Sequence, residues 1–459
     1  MSQISIVELS LVKSEKRFDA EFYKKEYLES ETKITSQEFL PLIKLTEKID
    51  VGFVGPMVHA YTENGVLLLQ TRNIGEFFIN LDSTISITEE FHKILKKSKV
   101  EYGDILIARS GSFGNASIYL EKEICNSSDI IIVRANEKIN PFYLVAYLNS
   151  IFGRHQLYKF ASGGLQGHVN LTILEKLKVP IVSVVFQKKI ESLLLDSKSK
   201  VSDSVNKYKE AEQILLKELN LKDYKSEHNL SFQASINEIM STKRFDADYY
   251  QPKYKKIEEK IKNSDYLKLR ELFSIIRGVE VGSEAYKEEG VPFLRVSNLN
   301  KLDLDWSNPK FISEESFESF KNNFNPKIGE ILLSKDATPG VAYLVRDNIR
   351  TIHSGGIIRL VRKKTIPHNK HLNVSYMTLV LNSIVVQQQM KRDSGGAIIV
   401  HWRPEEIRGT LIPILPKGTQ DKIAEKLEES YKLRKESKEL LEKAKKLVEN
   451  EIEKEARTN

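Results

Sequence analysis

Short apolar runs rich in β-branched residues recur along this chain, each bounded by glycine, asparagine or aspartate. Residues 66–69, 105–108 and 130–133 are three of them, and their length and composition predict buried strands. Residues 141–149 carry apolar side chains at helical spacing behind an Asn-Pro step, which predicts a short helix. Together they predict a mixed α/β (α+β) domain. A different pattern follows. Ile190, Leu194, Ser197, Val201, Ser204, Tyr208, Ala211 and Leu215 alternate spacings of four and three. Ile423, Leu427, Ser430, Arg434, Ser437, Leu441, Ala444 and Val448 repeat that spacing at a constant offset of 233. These are heptad seams on long helices whose other faces are rich in Lys and Glu. Two equivalent seams give each helix the apolar partner it requires, and they predict an antiparallel coiled coil.

The matched helices belong to a repeat of the whole chain. Arg17-Phe-Asp-Ala-Glu-Phe-Tyr23 returns as Arg244-Phe-Asp-Ala-Asp-Tyr-Tyr250, and Gly103-Asp-Ile-Leu-Ile returns as Gly329-Glu-Ile-Leu-Leu. Leu148-Asn149-Ser150 returns as Leu381-Asn382-Ser383, Ser162-Gly163-Gly164 as Ser394-Gly395-Gly396, and Gln187 as Gln420. The order is kept while the offset drifts only from 225 to 233. Units this large are not solenoid repeats, which run about 20–50 residues. The expected organisation is two similar tandem domains with pseudo-twofold character, over 1–185 and 223–416, with long helices over 186–222 and 417–459.

Composition narrows the classes. The chain is 41% hydrophobic and 29% charged, as a globular protein is. One cysteine, Cys125, excludes an intramolecular disulfide and a cysteine metal cluster. No run reaches the roughly 20 apolar residues of a membrane span, and the N-terminus lacks a signal-peptide core, so a cytoplasmic protein without a membrane partner is expected. A net charge of +7 suits a DNA partner without demanding one.

The repeat, the Arg-Phe-Asp-Ala segments, the Gly-Asp/Glu-Ile-Leu strands, and the Lys178-Val-Pro-Ile181 and Leu411-Ile-Pro-Ile414 steps before Gln187 and Gln420 resemble the specificity subunits of type I restriction-modification systems. The resemblance covers nearly the whole chain. It departs from the family at Phe186 and Thr419, where an acidic residue often precedes the glutamine. The resemblance implies two target recognition domains, each reading one half of a split, asymmetric sequence in double-stranded DNA. It implies that the helices are a spacer that docks two methyltransferase subunits, that S-adenosylmethionine binds those partners and not this chain, and that a nuclease-translocase subunit completes the complex. A spacer from Ile190 to Leu215 would be about 38 Å long at roughly 1.5 Å per residue, close to the roughly 34–36 Å of one DNA turn.

Bases are read by Arg, Lys, Asn, Gln, Ser and Thr side chains, and phosphates by cations and backbone N–H groups. Three places per copy offer such groups after a strand. They are Gln70, Arg72 and Asn73 against Arg295, Ser297 and Asn298; Arg109, Ser110 and Ser112 against Lys335, Asp336 and Thr338; and Gly163, Gly164, Gln166 and His168 against Gly395, Gly396, His401 and Arg403. The frame matches while the side chains differ, as reading two unlike half-sites requires. Arg109 and Lys335 stand out, because a cation after a buried strand otherwise needs an acidic partner. For Asn73, Asn298 and the glycines, a turn is the competing explanation. The aromatics of the Arg-Phe-Asp-Ala segments fall at helical spacing, which predicts a packed helix tying each copy to the spacer, with an internal Arg–Asp contact; the resemblance adds docking of the methyltransferase subunit as a second role.

Catalytic chemistry is scarce. Asn140-Pro-Phe-Tyr143 resembles the Asn-Pro-Pro-Tyr of adenine methyltransferases, which would make the chain a stand-alone enzyme. Its repeat partner Asn373-Val-Ser-Tyr376 loses the proline, and no Gly-rich loop precedes either, so a helix start is expected instead. The nine histidines form no His-Glu-x-x-His. The remaining alternatives are a type II specificity subunit, which sequence does not separate from type I, and a scaffold without DNA.

Overall fold

The computed structural model describes residues 4–81, 84–109, 114–161, 171–365, 371–394 and 400–458. The chain divides into two compact units, Met1–Lys200 with Lys435–Asn459, and Val201–Arg434. Each unit takes in part of both long helices.

In the first unit, one five-stranded sheet runs in the order Thr46–Val51, Ile130–Ala135, Ile105–Ala108, Ala116–Ile118 and Phe77–Phe78. Its centre is the predicted pair of β-branched runs, antiparallel with Ile132 opposite Leu106. All four residues of Ile105–Ala108 are buried. The second five-stranded sheet has Val66–Gln70 at its centre, parallel to Cys125–Ser128. Most pairings are antiparallel, so the unit belongs to the α+β type. The helix Pro141–Asn149 is buried from Phe142 to Asn149. The second unit repeats the plan with a four-stranded sheet around Ile331–Ser334 and Ile357–Arg362, a three-stranded sheet around Val291–Leu294, and the buried helix Val374–Asn382.

The repeated polar residues explain themselves locally. Asn149 lies wholly within the first core. Its Oδ1 accepts from Ala116 N (3.2 Å), and its Nδ2 donates to Ala116 O (2.7 Å) and Val145 O (2.9 Å). The amide thus pairs with a strand edge as another strand would. Asn382 makes the same contacts to Ala342 N (3.0 Å), Ala342 O (2.8 Å) and Thr378 O (3.1 Å). Gly103 and Gly329 turn the chain at φ +88° and +85°, where a Cβ is strained. The acids that follow them, Asp104 and Glu330, pair with Arg134 and Arg359.

The long helices are Val184–Glu218 and Lys417–Thr458, and they pack together. In the first unit Ile190 and Leu194 share a buried core with Ala444, Val448 and Ile452. Ser197 Oγ lies 2.8 Å from Ser437 Oγ, and Lys200 pairs with Glu436 at 2.7 Å. In the second unit Ala211 and Leu215 share a core with Ile423, Leu427 and Tyr431. There Ser204 Oγ lies 3.0 Å from Ser430 Oγ, and Lys207 pairs with Glu429 at 2.8 Å. Partner numbers fall as the others rise, so the helices run antiparallel. Of the predicted seam, Ile190, Leu194, Leu215, Ile423, Leu427, Ala444 and Val448 are buried, while Val201, Tyr208 and Leu441 are half-buried.

The Arg-Phe-Asp-Ala segments form matching hooks. In each, a seven-residue helix, Leu9–Glu15 or Ile236–Thr242, ends on a lysine with φ +53°, Lys16 or Lys243. Arg17 then forks onto Asp19 (2.7 and 2.8 Å), and Arg244 onto Asp246 (2.7 and 2.8 Å). The expected Arg–Asp contact is present in both copies. The expected packed helix is not formed as one element: Asp19 and Asp246 are extended and lead into a single tight turn, Ala20–Tyr23 or Ala247–Tyr250, before the helix proper. Phe18 is 86% and Phe245 80% exposed and Tyr249 and Tyr250 are half-buried, although Phe22 and Tyr254 are buried.

Candidate nucleic-acid interface

The first two predicted contact places of the first unit meet at a corner. Val66–Gln70 pairs Gln70 with Ser128, and Ile105–Ala108 pairs Ala108 with Ile130. Asp129, between them, crosses from one sheet to the other at φ +54°. Its carboxylate accepts from Arg109 Nη1 (2.8 Å), and its carbonyl accepts from Thr71 Oγ1 (3.2 Å). Gln70 is half-buried and Arg72 exposed beside this corner. Asp129 was not singled out from the sequence; its only signal was a Ser-Ser-Asp step between two apolar runs.

In the second unit the second and third places meet. Asp336 pairs with Lys335, and its Oδ1 lies 2.8 Å from His401 Nδ1. The two stretches also share backbone bonds, Ala337 N to Val400 O (3.0 Å) and Trp402 N to Lys335 O (2.8 Å). Trp402 is fully buried and anchors the third stretch. Ser297, Thr338, His401 and Arg403 are exposed, with Arg403 forked on Glu406 (2.9 Å from Nε). Arg295 is half-buried and donates from Nη2 to Asn308 O (2.7 Å). Ser110, Ser112, Gly163, Gly164, Gln166, His168, Gly395 and Gly396 lie outside the described residues.

Two sequence expectations need correction. Asn73 and Asn298 are turn residues. Asn73 Oδ1 accepts from Gln70 N (2.8 Å) and its Nδ2 donates to Asn80 O (2.9 Å). Asn298 does the same with Arg295 N (3.0 Å) and Asp305 O (2.8 Å). Both are buried, with both ends of the amide engaged in the fold. The reason for favouring Arg109 and Lys335 also changes, because each has its acidic partner in Asp129 or Asp336. These pairs orient the cations, and DNA contact by them no longer follows from an unmatched charge.

The methyltransferase-like motif is a helix cap. Asn140 Oδ1 accepts from Phe142 N (2.8 Å) and Tyr143 N (3.4 Å), while its Nδ2 donates to Glu191 Oε2 (2.7 Å). Asn373 caps Ser375 N (3.0 Å) and Tyr376 N (3.3 Å) in the same way. Tyr143 and Tyr376 are buried and donate to the carbonyls of Pro180 (3.0 Å) and Pro413 (2.8 Å). Burial pushes both phenols well above their ordinary range. The repeated glutamines complete the arrangement: Asn140 N donates to Gln187 Oε1 (2.8 Å) and Asn373 N to Gln420 Oε1 (2.9 Å). Each glutamine ties a domain helix to the start of a spacer helix. Asn140→Ala should therefore cost about 1 kcal/mol, the usual loss of an N-cap, and leave the DNA sequence methylated in the host unchanged. A thermal melt and a methylome measure the two; loss of methylation at unchanged stability would restore a catalytic Asn140.

Two domains on one plan, with matched strand ends but unlike polar side chains and a spacer helix after each, define a paired recognition protein. The family model described as type I restriction modification DNA specificity domain matches residues 41–214 and 261–444. The chain belongs to this family, as a specificity subunit with two recognition domains. A putative type I restriction enzyme MjaX specificity subunit of Methanocaldococcus jannaschii is 24% identical over 78% of this chain and 79% of its own. The type I restriction enzyme MjaVIII specificity subunit of the same organism is 22% identical over 79% and 81%. Among solved structures, the type I S subunit of M. genitalium covers 91% of this chain and 95% of its own at 13% identity, with a TM-score of 0.39. The HsdS subunit of Thermoanaerobacter tengcongensis covers 91% and 96% at 16% identity, with a TM-score of 0.28. Chains of this class are the non-catalytic DNA-recognition subunits of their complexes and act with further restriction-modification subunits. Among the described residues no helix is long and apolar enough to cross a membrane, and no group of three metal-ligating side chains occurs.

Proposed function

We propose that each recognition domain reads one half of a split, asymmetric DNA target. Gln70, Arg72 and Arg109 contribute in the first domain, and Arg295, Ser297, Lys335, Asp336, Thr338, His401 and Arg403 in the second. The spacer helices hold two methyltransferase subunits, which bind S-adenosylmethionine and methylate adenine, and a nuclease-translocase subunit joins them for cleavage. The observation that carries this reading is the same scaffold twice with different side chains at the same strand ends. Arg109 on Asp129 answers to Lys335 on Asp336, and exposed Arg72 answers to exposed Ser297. One scaffold presenting two hydrogen-bonding patterns reads two unlike sequences. Methylome sequencing of a host expressing this chain with its partners should reveal one adenine-methylated motif with unlike halves around a fixed gap. A contiguous palindrome, or no motif that depends on this chain, would refute the reading.

A further inference from the structure

The two hooks share a run copied residue for residue, Lys16–Ala20 and Lys243–Ala247, and the short helix that opens each is not buried. No residue of Leu9–Glu15 or Ile236–Thr242 is buried. Leu9 is 64% and Ile236 67% exposed, beside Phe18 and Phe245. Yet the hooks are firmly built. The Arg17 guanidinium lies 4.8 Å from the centre of the Phe22 ring, and Lys159 Nζ lies 4.4 Å from the same ring. Arg244 and Arg392 lie 4.7 and 5.3 Å from the Tyr249 ring. Tyr23 Oη donates to Arg17 O (2.9 Å), and Tyr250 Oη to Arg244 O (2.7 Å). Each exposed phenylalanine thus sits between an arginine and an aspartate that are locked to each other.

We propose that Phe18 and Phe245 are the anchors of two equivalent docking surfaces, each inserted into an apolar pocket of one methyltransferase subunit. This inference rests on the proposed function, in which such subunits are partners. The repeat itself argues for the occupant. Whatever covers the hooks meets the same surface twice, whereas the two DNA half-sites meet different side chains. The phosphate backbone would also be the same twice, and the exposed Lys16 and Lys243 could meet it, but it has no use for an exposed phenylalanine, and the arginines beside each one are engaged by Asp19 and Asp246. An exposed aromatic held rigid before binding is the usual anchor of a protein interface, because little side-chain freedom is lost on association. The hooks are also continuous with the spacer that the same partner is proposed to hold. In the first unit, the helix after the hook bonds the second spacer helix through Lys33 to Glu453 (2.7 Å) and Gln37 to Ile452 O (3.2 Å). In the second unit, Ile257 and Ile261 of the corresponding helix share a core with Ala211 and Leu215 of the first spacer helix.

The test uses the full chain co-purified with its methyltransferase, with stoichiometry read by native mass spectrometry and affinity by titration. The unsubstituted chain should carry two methyltransferases. Phe18→Ala and Phe245→Ala should each lose one, with affinity at that site at least about 30-fold weaker, and the double variant should lose both. Phe18→Leu should retain most binding, and the melting temperature of the chain should not move. Two methyltransferases held at unchanged affinity by the double variant would overturn the proposal. So would self-association of the isolated chain that the substitutions abolish, since the hooks would then bind a second copy. If the unsubstituted chain carries no methyltransferase, the functional reading fails and the docking surface with it, a result that appears before any substitution is made.

Discussion

Replacing residues 36–180 by the matching stretch of a relative with a different target should change one half of the methylated motif and leave the other half and the gap intact. The cut points are favourable because the segment's ends meet. Phe39–Pro41 pairs antiparallel with Lys178–Pro180, Phe39 lying opposite Pro180, so both junctions fall at one small sheet. The exchanged stretch contains Gln70, Arg72, Arg109 and the Asp129 corner, together with both five-stranded sheets. The hook, the spacer helices and the whole of Val201–Arg434 stay as they are. Each mismatched base pair costs about 1–3 kcal/mol in a specific complex. A half-site of three or four changed pairs should therefore lose the old sequence by at least about a hundredfold and leave only the new one visible in a methylome. A change in both halves would show that the units do not read independently. An unchanged motif would place the reading residues outside 36–180.

Asn149→Leu should be among the most destabilising single substitutions in the first domain, and Asn382→Leu its equal in the second. Leucine keeps the branched shape and heavy-atom count of the amide but is bulkier, so the loss of the polar contacts is joined by some overpacking. Three hydrogen bonds disappear, and Ala116 N and Ala116 O lose their partner in a region closed to water, while Val145 O keeps the helical bond from Asn149 N. At about 1–3 kcal/mol for each of the two buried groups left unsatisfied, with partial relaxation, the loss should be about 2–5 kcal/mol. That is a large share of the roughly 5–15 kcal/mol that holds a domain folded. Chemical denaturation followed by domain-specific probes is the measurement, since a chain of two units need not unfold in one step. Asn149→Leu should lower the first domain's midpoint and Asn382→Leu the second's. A shift within the range of a surface substitution would mean that the amide is not the strand-edge partner described.

Much of the architecture was legible because it rests on short-range periodicity. The strands at Ile105–Ala108 and Val66–Gln70, the helix Pro141–Asn149 and the spacer seam all follow from apolar spacing. The repeat helped further, since a motif that loses its proline in one copy, as Asn140-Pro does, cannot depend on it. Reading the site was harder. Asn73 and Arg72 are adjacent polar residues after a strand, yet one amide is folded into its own turn and the other side chain is free to reach outward. Composition does not separate them, because a turn and a base edge ask for the same donors and acceptors. Asp129 was missed because its role depends on two sheets meeting at a corner; Gln187 stood out in the repeat, but its role did not, because its partner, Asn140, lies 47 residues away.

The buried serine pairs have an evolutionary consequence. At the repeat offset of 233, Ser197 and Ser204 are the counterparts of Ser430 and Ser437. The bond between Ser197 and Ser437 and the bond between Ser204 and Ser430 therefore join the same two kinds of position. A gene encoding a single copy would already specify both sides of that pairing, and its product could associate with itself through the contacts that now lie within one chain. Such an ancestor would present identical domains and select palindromes. Duplication and fusion would free the two halves to drift apart, which is how a symmetric device comes to recognise an asymmetric word.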